Sequence, residues 1–170
     1  MHTSRHESRT QRKDVMKYEF VPDDVIVIAP GRTVKRIRAI VAIAAFGVSS
    51  GDAGGYVEGD ENLSQSYGDA WVSGNAWVSG DARVSGDAQV SGDARVYGDR
   101  MIFWATKVGR DNATLTVFNG KNGLIVTRGC FIGSIDEFLE KSEIEHDDET
   151  HIEYRMLIEV AYSRITRATK

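Results

Sequence analysis

Residues 68–103 read GDAWVS GNAWVS GDARVS GDAQVS GDARVY GDRMIF, a six-residue period that carries Gly-Asp/Asn-Ala-x-Val through five units. The sixth unit keeps the spacing but has Arg100 in place of alanine and Ile102 in place of valine. One small and one β-branched residue per short unit is the pattern of a hexapeptide β-solenoid. Successive residues of a strand point to opposite faces. The alanine and valine of each unit, from Ala70 and Val72 to Ala94 and Val96, are therefore expected inside. Trp71, Trp77, Arg83, Gln89 and Arg95 lie between them and are expected outside. The Gly-Asp/Asn pairs make the corners, because glycine accepts positive φ and Asp or Asn tolerates it. Three six-residue sides close a triangular coil of eighteen residues. Val72 is then expected under Val90, Val78 under Val96 and Val84 under Ile102, with Trp77 beside Arg95 at cation–π range.

The flanks are read outward from this coil. Residues 1–16 are polar and rich in Arg and Lys, as a flexible leader is; 17–56 read as an N-terminal β segment, 57–109 as the coil, and 110–170 as a hairpin plus two helices. Tyr18 to Ile28 is expected to form two short strands broken at Pro22-Asp23-Asp24. Thr33 to Ile43 alternates on one face through Ile37, Ala39, Val41 and Ile43, the pattern of a half-buried strand. The apolar run Ile40–Val48 is too short to span a bilayer and is read as a buried strand. Gly51 to Tyr56 is read as the bend that feeds the coil, since no Lys-Ser/Thr follows to make a phosphate loop. Beyond the repeat, Trp104 to Val108 keeps the register with Thr106 and Val108 inward, and Leu115–Phe118 with Leu124–Thr127 form a hairpin. Capping boxes at Ser134–Glu137 and Thr150–Glu153 start two helices. The first has Ile135, Phe138 and Leu139 on its apolar side; the last runs to about Ile165 and is expected to bury Ile152, Leu157, Val160 and Ala161 or their near neighbours.

With both flanks read, residues 17–167 resemble a family of phage and prophage hexapeptide-repeat proteins, mostly of unknown function. The head carries Gly31-Arg32-Thr33, Arg36-Ile37-Arg38-Ala39, Gly51-Asp52-Ala53-Gly54-Gly55-Tyr56-Val57-Glu58 and Glu61-Asn62-Leu63-Ser64, and the middle is the repeat. The tail carries Leu115-Thr116-Val117-Phe118, Arg128-Gly129-Cys130-Phe131, Gly133, Phe138 and His146 before the final helix. The resemblance implies a mainly β fold: a short left-handed parallel β-helix between an N-terminal β segment and a small C-terminal α/β tail. It implies no catalytic residues. It points to a host component as target, such as part of an antiviral defence system, in the manner of an anti-CRISPR or a protein that sequesters a signal.

Charge and residue chemistry narrow the functional classes. Net charge of −4 and a pI near 5.6 do not favour general nucleic-acid binding. The one cysteine, Cys130, excludes an intramolecular disulfide and suits a reducing compartment. No apolar signal segment opens the chain, so a cytoplasmic location is expected, that of the host cell if the protein is phage-encoded, with no membrane partner. The four histidines, His2, His6, His146 and His151, all lie outside the repeat. Hexapeptide acyltransferases use a histidine base on or beside the coil, and metal-binding relatives need three around it. No catalytic residue, metal or cofactor is therefore expected. A Cys130–His146 thiol–imidazole pair is the weaker reading of a cysteine beside Phe131. The acidic run Glu143–Glu149 lacks the spacing of a calcium loop.

What remains is the outer set Trp71, Trp77, Arg83, Gln89 and Arg95. Either flanking strands or a neighbouring subunit cover it, or it docks a partner as aromatic–arginine hot spots do. Two coils also end in bare strand edges that need caps, from the flanks or from other copies. The expectation is a non-catalytic homo-oligomer, a trimer with coils side by side, binding a host protein or a small signalling molecule. The alternatives are a hexapeptide-type acyltransferase and a virion structural or assembly element.

Overall fold

The computed structural model describes residues 15–66 and 68–168; the leader lies outside the described residues apart from Val15 and Met16. Corner geometry follows the sequence: Gly68, Gly74, Gly80, Gly86 and Gly92 have φ of 75°, 63°, 58°, 60° and 65°. That left-handed region costs a side chain about 1–2 kcal/mol, which glycine avoids. Between corners, the inward alanines and valines from Ala70 to Val96 are at most 1% exposed.

The repeat stacks in parallel ladders. Strands β1 (Tyr18–Ala29), β2 (Arg32–Ala39) and β3 (Ala53–Val57) precede the short β4 (Trp71–Val72), β5 (Trp77–Val78), β6 (Gln89–Val90) and β7 (Arg95–Val96). One sheet runs β1-β2-β3-β5-β7, and β4 pairs with β6. Val72 stands opposite Val90 and Val78 opposite Val96, eighteen residues apart. The lower coil is longer: Val57 pairs with Val78 and Leu63 with Val84, twenty-one residues apart. The three surplus residues fall between Leu63 and Val72, where the chain bulges around Gln65.

That bulge anchors the start of β1. Gln65 Oε1 accepts from the Lys17 and Tyr18 amides at 2.9 and 3.1 Å, and Gln65 Nε2 donates to Tyr18 O at 3.1 Å. Lys17 Nζ donates to Ala70 O at 2.7 Å. Burial holds the Lys17 ammonium below its ordinary pKa, with Asp69 opposing. A side-chain amide here satisfies a strand edge that has no strand beside it.

Several local expectations are corrected. Tyr18–Ala29 is one strand with a register shift between Phe20 and Val25, because β2 holds both halves in one ladder. Ile40–Val48 is not a strand: a 3-10 turn at Ala44–Phe46 and an Ile43–Val48 bridge fold it back. Only Ile43, Phe46 and Val48 of its far half reach the core, while Ile40 is 38% exposed. Gly54 and Gly55 belong to strand β3, not to a bend. Each must be glycine because a Cβ would lie 2.6 Å from Ile37 Cγ1 in the first case and 2.7 Å from Val72 Cγ1 in the second.

The repeat also ends earlier than its spacing suggests. β8 (Ile102–Val108) turns antiparallel to β9 (Ala113–Gly120), which pairs with β10 (Gly123–Arg128) and then β11 (Phe131–Ser134). Ile102 therefore pairs with Phe118, the ladder partner of Val84 is Leu63, and Thr106 is exposed. Gly98, the glycine that opens the sixth unit, is absent from the left-handed set, so the corner is not repeated there.

Helices α1 (Ile135–Glu145) and α2 (Asp148–Ala168) complete the chain. Ser134 caps α1 through the expected box, its Oγ accepting from Glu137 N at 3.2 Å. α2 starts one residue after Asp147, whose carboxylate accepts from Thr150 N at 2.8 Å, so the cap lies earlier than Thr150. This bond holds the Asp147 carboxyl below its ordinary pKa. α2 buries Tyr154, Ile158, Ala161 and Ile165, with Leu157 partly covered. Ile152 and Val160, expected inside, are 45% and 49% exposed.

The flanks of the chain cover part of the ladder edges at each end. The N-terminal strands continue the β3-β5-β7 side below. Above, Gly120 bridges Ala94, Asn119 Nδ2 donates to Arg95 O at 2.9 Å and Thr127 Oγ1 donates to Gln89 O at 2.7 Å. No helix among the described residues is long and apolar enough to cross a membrane.

Candidate functional site

In a three-sided coil, residues six apart move to the next face and residues eighteen apart share one. The five outer residues singled out in the repeat therefore divide among three faces. Trp77 and Arg95 share the β5-β7 face, Trp71 and Gln89 the β4-β6 face, and Arg83 lies on the third, beside Val84. They do not form one wall.

Trp71 is not at the surface at all. It is 1% exposed and joins the cluster with Tyr18, Ile37, Ala39 and Ile43, with Phe46 and Val48 packed against that cluster. The turn formed by the apolar run Ile40–Val48 packs Phe46 and Val48 against the same cluster. Gln89 is pinned at its backbone by Thr116 and Thr127 of the upper sheet.

Trp77 and Arg95 stack as the spacing predicts, with the guanidinium carbon 4.0 Å from the indole centre. Arg95 Nη1 also donates to Asn75 O at 3.0 Å and Ala94 O at 2.8 Å. Both side chains are half-buried, and Arg95 has no carboxylate partner among the described residues.

This pair is the end of a longer row. Arg36 of β2 faces Tyr56 of β3, Tyr56 faces Trp77, and Trp77 faces Arg95. The Arg36 guanidinium carbon lies 4.3 Å from the Tyr56 ring centre. Two aromatic rings are thus flanked by two guanidiniums, one per strand, an arrangement that ring quadrupoles favour. Its lower half is roofed by Asp24, which accepts from Tyr56 OH at 2.8 Å and from Arg36 Nε at 2.5 Å. These bonds, Tyr56 first, hold the Asp24 carboxyl below its ordinary pKa. The Trp77–Arg95 half has no such roof. Repeat reasoning misses Tyr56 and Arg36, since the lower coil is twenty-one residues long and an eighteen-residue step back from Trp77 lands on Gly59.

The foot of this face is locked by Glu58. Its carboxylate receives Arg32 through two nitrogens at 2.9 and 2.8 Å and Gly80 N at 2.7 Å. Arg32 first and the Gly80 amide second push the Glu58 pKa from 4.5 down to about 2. A depressed carboxyl stabilises the fold above its unfolded pKa, and that contribution disappears as pH falls through the folded value. Glu58→Gln is therefore expected to be less stable than the parent at neutral pH, with the gap closing between pH 4.5 and about 2. Urea melts at stepped pH measure this; a gap that widens on acidification would contradict it.

Two grooves flank the coil. One of about 610 Å³ on the Arg83 face is lined by Glu61, Asp81, Arg83 and Asp99. The other, about 440 Å³, opens on the β4-β6 face, with Ser73, Gln89 and Ser91 between the apolar side chains of Phe46, Phe131 and Ile132. Cys130 is exposed at its rim, whereas His146 packs edge-on to Tyr154 at 5.5 Å; no hydrogen bond joins the two. His151 Nδ1 lies 3.2 Å from Ser142 Oγ, and His2 and His6 lie outside the described residues. Among the described residues no group of three His, Cys, Asp or Glu side chains is placed to hold a metal ion.

Residues 88–102 match the family model described as the YdcK β-solenoid repeat. The match covers β6, β7 and the first residue of β8, so it supports a β-solenoid repeat within a mainly β chain that ends in helices. No curated protein and no solved structure matches the chain.

Proposed function

We propose that this is a non-catalytic binding protein whose coil, wound left-handed, presents the Trp77–Arg95 face to a host macromolecule, in keeping with the phage-protein resemblance of its head and tail. The observation that carries this reading is the unroofed end of the Arg36–Tyr56–Trp77–Arg95 row. A half-exposed indole under a guanidinium with no carboxylate partner combines the two residue types that dominate interface energetics. Arg83 lies on a different face, among Glu61, Asp81 and Asp99, and is not part of this surface.

The test is native mass spectrometry of the tagged protein recovered gently from host lysate, with Trp77→Ala/Arg95→Ala in parallel. The double variant is expected to lose the partner, at least about a hundredfold in affinity for a hot-spot pair. Its melt is expected to stay cooperative, within about 10 °C of the parent. Retained partner in a folded variant would sink the proposal, and a collapsed melt would assign the pair to the fold.

A second reading, capture of a small uncharged molecule, is favoured by the 440 Å³ groove. The side chains of Ser73, Gln89 and Ser91 make no hydrogen bond among the described residues and face an opening with apolar walls. In the same experiment a mass increment of small-molecule size, retained by Trp77→Ala/Arg95→Ala, would favour it.

A further inference from the structure

α2 carries two apolar faces, and the fold uses one. At 3.6 residues per turn, Tyr154, Ile158, Ala161 and Ile165 share one side, which the upper sheet and α1 cover. Ile152, Met156 and Val160 follow at i+4 spacing on the opposite side and are 45%, 61% and 49% exposed. Nothing in the chain covers them among the described residues. A contiguous apolar stripe left open on a helix that already buries its other face is a place where a partner can dock.

The charges on that side select its occupant. Glu149 stands at the N-terminal end of the stripe and Arg164 and Arg167 at the C-terminal end, Glu159 flanks Met156 and Val160, and Glu153 is engaged within the chain by the Gly109 amide at 3.0 Å. Glu149, Met156 and Arg167 lie almost on one line along the helix, spaced seven and eleven residues apart. Arg167 is held along it by hydrogen bonds to Ser163 O at 2.9 Å and Ser163 Oγ at 2.6 Å. The stripe thus has Glu149 at one end and Arg167 at the other, with Met156 and Val160 between them beside Glu159 and Ser163, and its charged ends are complementary to themselves when it is reversed.

We infer that this face binds a second copy of the chain, the two α2 helices packing antiparallel about a two-fold axis at the level of Ile158. That register sets Met156 against Val160 of the second copy, and Glu149 against its Arg167. Antiparallel packing also brings each helix N-terminus beside the other's C-terminus, which the helix dipoles favour. The two-fold makes each contact occur twice. Stable interfaces bury roughly 800 Å² per partner. Three apolar side chains on one helix provide less, so the dimer forms reversibly with a concentration-dependent mass.

Sedimentation velocity from low micromolar to several hundred micromolar tests this, with melts recorded alongside. The parent is expected to shift from one to two copies. Met156→Glu and, independently, Val160→Glu each bury two like charges at the centre and raise the dissociation constant at least about a hundredfold without lowering the melt. Glu149→Arg weakens the dimer about fivefold, and Glu149→Arg/Arg167→Glu restores it, since exposed pairs contribute little singly but set orientation. A monomer at every concentration, a trimer, or a dimer indifferent to both glutamates would overturn the inference. So would a double charge exchange that fails to rescue.

Discussion

Trp71→Ala lowers the unfolding free energy by about 3–5 kcal/mol, the range for removing a fully buried tryptophan. The side chain is 1% exposed and lies where the N-terminal strands, the 40–50 turn and the lowest coil meet. No one of these elements can collapse into the space without pulling on the other two, so the cavity persists and its full cost is felt. Domains of this size hold only about 5–15 kcal/mol in all, so the variant should melt far below the parent. The same substitution at Trp77, which occupies the same place in the next repeat unit but is half-buried, should cost about 1–2 kcal/mol. Urea unfolding followed by far-ultraviolet circular dichroism compares the two directly. Equal losses would mean that Trp71 is not the keystone that its burial indicates.

Gly80→Ala is the second large effect, at about 2–5 kcal/mol from left-handed strain and overpacking together. With φ at 58°, a Cβ at Gly80 would lie 2.4 Å from Tyr97 O, a backbone atom of the segment that follows β7. The Gly80 amide also donates to Glu58 at 2.7 Å, so a shift to relieve the clash would disturb the Arg32–Glu58 lock. Gly74 is the matched control. Its φ is 63°, but the nearest atom to an added Cβ is Gly92 N at 3.2 Å. Gly74→Ala should therefore show little beyond the strain, about 1–2 kcal/mol. The difference between the two variants isolates the clash with Tyr97 O, and two equal melts would remove it.

Much of this molecule is legible because its determinants are local. Gly-Asp/Asn-Ala-x-Val repeats its corner, inner and outer residues every six positions, so burial of Ala70 to Val96 and the stacking of Trp77 on Arg95 follow from spacing alone. The Ser134–Glu137 box likewise contains both halves of its own cap. The row beyond Trp77 was not legible, for a geometric reason. Tyr56 reaches it through a coil lengthened by three residues near Gln65, and Arg36 reaches it through an antiparallel partner that no repeat encodes.

Other choices belonged to packing between distant segments. The pattern of α2 offers two apolar stripes to the core, one through Ile152, Met156 and Val160, the other through Tyr154, Ile158, Ala161 and Ile165. The second goes inward because Tyr154 fits over Gly109, where a Cβ would come within 2.2 Å of its hydroxyl, and accepts from Arg128 Nε at 2.7 Å. Likewise Ile40–Val48 has the composition of a buried strand, but the 3-10 turn at Ala44–Phe46 and the Ile43–Val48 bridge fold it back on itself, and it packs Phe46 and Val48 against the cluster that holds Trp71. The chain's own pattern thus determined the coil, its corners and its inner residues, because each depends on neighbours a few positions away. Which outer residues stay outside, where the coil stops, and which face of α2 remains open were decided only on folding, because each depends on what arrives from elsewhere in the chain.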